Sequence, residues 1–92
     1  METIWKFDIP IRGSVIVPMP MGARVLSVHM QEPGHGLWIQ VWAIVDPRLS
    51  NPTEYESRKF QVRGTGNPLG KVGKFVGTVF DGDFVWHVFE GG

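Results

Sequence analysis

Phe75-Val76-Gly77-Thr78-Val79-Phe80, then Asp81-Gly82-Asp83, then Phe84-Val85-Trp86-His87-Val88-Phe89 is the stretch that decides the fold. Two runs of β-branched and aromatic residues flank a short turn of Asp and Gly. Such side chains suit a pleated, half-buried surface, and an Asp-Gly pair accommodates the tight reversal between strands. The stretch predicts a C-terminal β-hairpin.

The same pattern recurs toward the N-terminus. Residues 3–9 alternate, with Trp5, Phe7 and Ile9 on one side and Lys6 and Asp8 on the other, a half-buried strand closed by Pro10 and Gly13. Ser14 to Val17 predicts a short second strand. Pro18 and Pro20 put the segment through Gly22 at an edge or in a turn, because proline brings no ladder donor. Ala23 to Gln31 predicts a third strand, with Leu26, Val28 and Met30 on one face and Val25, Ser27, His29 and Gln31 on the other. Glu32-Pro33-Gly34-His35-Gly36 reads as a loop.

Leu37 to Val45 differs from the rest. Leu37, Ile39, Val41, Ala43 and Val45 share one apolar face, and Trp38, Trp42 and Ile44 make the other apolar too, with Gln40 the single interruption. A strand apolar on both sides is expected to be covered on both sides. Asp46 to Pro52 reads as a loop with room for a helical turn. Thr53 to Gly64 alternates weakly, with Phe60 and Val62 inward and Tyr55, Ser57, Lys59, Gln61 and Arg63 outward. A Gly-rich loop follows from Gly64 to Gly70, with room for a second helical turn between Asn67 and Lys71. No window carries a sustained apolar period of a helix. The reading is a single all-β domain over residues 1–92, a small sandwich or barrel of about seven short antiparallel strands.

A chain of 92 residues buries only about two-thirds of its unfolded surface, so its core needs help. No cysteine is present, which removes disulfides and thiolate zinc sites. His29, His35 and His87 are scattered, and neither a metal nor a cofactor is expected. A homo-oligomer is expected, joined on the second apolar face of the Leu37–Val45 strand. Nine basic and nine acidic residues balance, which argues against general nucleic-acid binding. No apolar run approaches the ~20 residues that span a membrane, and Met1-Glu2-Thr3-Ile4-Trp5 is unlike a secretory leader. A soluble, cytoplasmic protein is expected.

The charge is balanced but unevenly placed. From Arg58 to Lys74 there are five basic residues and no acidic one, and Gly64-Thr65-Gly66-Asn67 lies inside that stretch. Glycines let successive N–H groups converge on an anion, and arginine adds a planar fork of donors. Arg58, Arg63, Gly64, Thr65, Gly66 and Asn67 are therefore candidates to hold a phosphate. A solvated strand face followed by an ordinary loop has the same composition. Trp38, Trp42, Trp86 and Tyr55 are candidates to stack on a base, against the alternatives of core and interface for each Trp. His87 is a further candidate contact, against the alternative of a histidine held by one structural hydrogen bond. No nucleophile and carboxylate are spaced to make a triad.

Trp5-Lys6-Phe7, Met19-Pro20-Met21-Gly22-Ala23 leading to Leu26-Ser27-Val28, Ala43-Ile44-Val45-Asp46-Pro47, Phe60 to Gly66, Gly77-Thr78 and Phe84 to Glu90 follow one another in an order that resembles a family of small proteins of unassigned function encoded by bacteriophages and prophages. Many members of that family carry His where this chain has Asn67. The resemblance implies a phage origin and a host bacterial cytoplasm. By analogy with small phage proteins that lack a catalytic set, it leads to three expectations. The first is an accessory protein that binds and sequesters a nucleotide-derived host immune signal. The second is a protein–protein interaction module that inhibits a host protein or serves in the virion. The third is a phosphodiesterase of the same signals, with His29 and His87 as acid and base if they face one pocket.

Overall fold

The computed structural model describes residues 1–30, 38–49 and 54–91. Within them lie seven strands, β1 (Thr3–Pro10), β2 (Ser14–Pro20), β3 (Arg24–Met30), β4 (Trp38–Val45), β5 (Tyr55–Gly64), β6 (Lys74–Asp81) and β7 (Phe84–Glu90), and one 3₁₀ turn, Pro47–Leu49. The expected loop at Glu32–Gly36 with its His35, Leu37 at the head of the fourth predicted strand, and residues 50–53 lie outside the described residues. Of the two helical turns with room to form, the first appears at Pro47–Leu49; residues 67–71 form none.

The predicted hairpin is β6–β7, with Asp81 opposite Phe84 and a two-residue loop of Gly82 and Asp83. Gly82 has φ +59°, and among the described residues no non-glycine residue has a positive φ. Positive φ at the first loop position alone is the pattern of a type II′ turn, whose twist matches that of the strands.

All pairing is antiparallel, in a three-stranded sheet ordered β1-β4-β3 and a four-stranded sheet ordered β2-β5-β7-β6. The two sheets pack face to face. β3 adjoins β6 at one seam, and β1 comes near β2 at the other. The core between them is Ile9, Met19, Ala23, Ile39, Val41, Val45, Phe60, Val62, Val79 and Val88. Strand β2 runs on through Pro18 and Pro20 because it is an edge, where a missing donor leaves no inner ladder broken.

Two β-bulges reverse the side-chain alternation where the sheets meet. In β3 the register slips between Val25 and Ser27, so Val25 packs on the core with Val28 and Met30. Leu26, expected beside Val28, is 48% exposed. In β6 the slip lies between Phe75 and Gly77, and Val76 and Val79 both turn inward. A Cβ on Gly77 would come within 2.9 Å of Val28 Cγ2, so glycine allows the close approach of the two strands. An extra residue on one strand sends the next side chain to the opposite face, which simple alternation does not anticipate.

Strand β4 is central, and Ile39, Val41, Ala43 and Val45 are buried beneath it. Its other face is not covered by a second layer of the described chain. Trp38 is 47% exposed, while Trp42 and Ile44 are half-buried among neighbours on β1 and β3.

Gln61, expected outward as a solvated residue, is buried. Its amide donates to the Gly91 carbonyl and accepts from the Gly73 N–H at 3.0 Å. That pair of bonds ties the segment before β6 and the end of the chain to β5, which is why a polar side chain is tolerated there.

Candidate binding site at one end of the sandwich

The chain passes from one sheet to the other through Ile11-Arg12-Gly13, where Arg12 N–H donates to Pro10 O at 2.9 Å. Gly13 O then accepts from Val62 N–H at 3.2 Å, which brings the start of β2 against the end of β5. Beyond β5, Asn67 N–H donates to Gly64 O at 3.1 Å, and Gly66 has φ +88°. That is a type II turn, which needs the third residue in the left-handed region.

Arg63 anchors this loop. Its Nε donates to Leu69 O at 2.8 Å, its Nη1 to Gly13 O and to Val62 O at 3.2 Å, and its Nη2 to Lys71 O at 3.5 Å. On the outer face of the sheet, His87 lies between two hydroxyls, Thr65 Oγ1 at 2.7 Å from Nε2 and Thr78 Oγ1 at 3.0 Å from Nδ1. Thr65 N–H donates to Val85 O at 3.1 Å. The N–H groups of Thr65 and Asn67 are therefore engaged within the protein. The loop backbone does not form the convergent anion cradle that its glycines suggest.

Behind the loop, Trp86 packs over Gly64. A Cβ there would lie 3.2 Å from Trp86 Cζ3 and 2.8 Å from Asn67 Nδ2, so the glycine makes room for both. Trp86 also stacks with Phe84, ring centroids 6.0 Å apart at 18°. Its Nε1 is buried without an acceptor. Arg12, Ser14, Arg63, Gly64, Asn67 and Trp86 line an open cleft of 460 Å³, within the range of small-molecule sites. Among the described residues, the Arg12 guanidinium, Ser14 hydroxyl and Asn67 amide have no hydrogen-bond partner and no carboxylate lines the cleft.

Residues 1–92 match a domain of unknown function, DUF7352, along the whole span. The chain belongs to the DUF7352 family. No curated protein and no solved structure gives a match.

In this DUF7352 domain, Arg63, Gly64, Asn67 and Trp86 line one cleft, with Gly66 in the turn beside them. Thr65 and His87 hold the loop from the outer face. Trp38 borders a neighbouring cleft with Arg12. Trp42 lies on the outer face of the three-stranded sheet, opposite Lys6 and Ser27. Arg58 is elsewhere. It sits at the far end of β5, bonded to Glu90, Glu56 and Ala23 O. His29 faces outward on β3 and His87 outward on β7, so the two histidines lie on opposite outer faces and form no acid–base pair.

Arg12 and Ser14 escaped the sequence reading. Their signal is weak, a lone Arg-Gly-Ser between two strands, and its meaning depends on the connection crossing between sheets. Elsewhere on the DUF7352 domain, hydrogen bonds from Arg48 to Asp46, at 3.0 Å from Nε and 2.7 Å from Nη2, hold the Asp46 carboxyl well below the usual carboxylate range. Among the described residues no three His, Asp or Glu side chains converge on a metal-sized site. No helix there is long and apolar enough to cross a membrane.

Proposed function

We propose that the DUF7352 chain is a non-catalytic binding domain that captures an anionic, nucleotide-type small molecule in the Arg12–Trp86 cleft. The observation that carries this reading is the Arg12 guanidinium, which lines the cleft beside Trp86 without a hydrogen-bond partner among the described residues. Asn67 and Ser14 add neutral polar groups, and a cation without a nearby carboxylate favours an anion. The phage origin implied by the resemblance makes the finer proposal a sponge, which holds a nucleotide-derived host signal and keeps it from its receptor. Calorimetric titration and thermal shift with AMP, ADP, ATP and cyclic AMP test the reading. Binding with the nucleotide recovered intact after denaturation supports it. Silence for the whole panel overturns it, and recovery of hydrolysed nucleotide turns the sponge into an enzyme.

A second reading concerns the outer face of the three-stranded sheet, where Ile4 is 54% exposed beside the half-buried Ile44 and Trp42. We place a second copy of the chain on that face. Sedimentation at micromolar concentration is expected to return a dimer or larger, and a folded monomer sinks this reading.

A further inference from the structure

Arg12 borders two clefts. The first is the Trp86 cleft. The second, of 510 Å³, is lined among the described residues by Pro10, Ile11, Arg12 and Trp38, none of them a carboxylate. Both clefts share Ile11 and Arg12 because the crossover stands at the rim where the sheets meet. One free guanidinium therefore lies between an indole of the four-stranded sheet and an indole of the three-stranded sheet.

The two indoles offer different things. Trp86 packs over Gly64, stacks with Phe84 and has its Nε1 buried, so what it gives the cleft is an apolar wall. Trp38 is 47% exposed, leaving ring surface open for stacking. A ligand with a single base leaves one of these unused. A long nucleic-acid strand calls for a track of cations along its backbone, whereas the chain is neutral overall and the one unpaired cation shared by the clefts is Arg12.

We propose that the composite site takes a phosphodiester-linked dinucleotide. One base stacks on Trp38, the bridging phosphate sits on the Arg12 fork, and the second base lies in the Trp86 cleft against the indole. The proposal rests on the reading of the Trp86 cleft as a nucleotide site and adds the second base and the bridging position of the phosphate. An aromatic–base stack strengthens binding by about tenfold or more.

The test compares AMP with linear ApA, following the indole N–H resonances and the affinity of each. AMP is expected to shift Trp86 alone and ApA to shift both Trp86 and Trp38, with ApA binding about tenfold tighter although its phosphate carries less charge. Trp38→Ala is expected to bring ApA down to the AMP affinity and leave AMP unchanged, and Trp38→Phe to restore most of the difference. Equal affinities for the two probes, or an unmoved Trp38 resonance in the ApA complex, overturn the dinucleotide while AMP at Trp86 preserves the mononucleotide reading. If neither probe moves Trp86, both readings fall.

Discussion

The two ends of the layer between the sheets each carry an arginine, and the fold treats them in opposite ways. At one end Arg58 is enclosed, its side chain only 18% exposed. Its Nε donates to Glu90 Oε2 at 2.6 Å, and its Nη1 to Glu56 Oε1 at 2.9 Å and to Ala23 O at 2.8 Å. At the other end, some six residues or ~20 Å along β5, Arg12 stands without a partner beside an indole N–H without an acceptor. A cation whose counter-charges are supplied by the chain belongs to the scaffold. A cation left without them leaves its counter-charge for a ligand to bring. The cleft beside Arg58 is of similar size, 500 Å³, so size does not distinguish the ends; the state of the arginine does.

The contrast is open to measurement. Arg58→Ala leaves Glu90 and Ala23 O partly buried without their donor, and it is expected to destabilise the domain by about 3 kcal/mol in denaturant unfolding. A change below about 1 kcal/mol at that position erases the scaffold side of the comparison. Trp86→Phe removes an N–H that makes no hydrogen bond. Its expected cost is within about 1 kcal/mol, against the larger loss typical of truncating a satisfied buried group, while ligand binding weakens. A large loss of stability with unaltered binding would show that the indole is structural alone. Arg12→Ala is expected to change stability by less than about 0.5 kcal/mol and to abolish anion binding, read by unfolding and titration of the same variant.

Much of the fold was legible, and the reason is local. Period-two alternation, paired prolines and an Asp-Gly turn each act over a few residues, and they located β1, the β2 edge and the β6–β7 hairpin. The bulges were not legible. Leu26 is as apolar as Val25, and only the meeting of β3 with β6 decides which of them turns inward. The hidden role of Gln61 was missed for the same reason, since its partners Gly73 and Gly91 are brought to it by pairing between strands distant in sequence.

For the site, the composition drew attention to a basic stretch and its glycine loop, and four of the named residues do line one cleft. What composition could not do was sort cations by their neighbours. Arg58 and Arg63 look alike in the chain, yet one meets carboxylates and the other meets backbone carbonyls. Arg12, outside the basic stretch altogether, is the arginine left unmatched among the described residues.

The order of apolar and polar residues, with the placement of Gly and Pro, settled by itself that this protein is all-β and where most of its strands run, because strand preference and turn geometry are short-range. Which strands become neighbours, which side chains a bulge redirects, and which arginine keeps an open fork were settled only in three dimensions. Electrostatic partners and packing contacts join residues far apart in the chain, and nothing in the spacing of letters carries those distances.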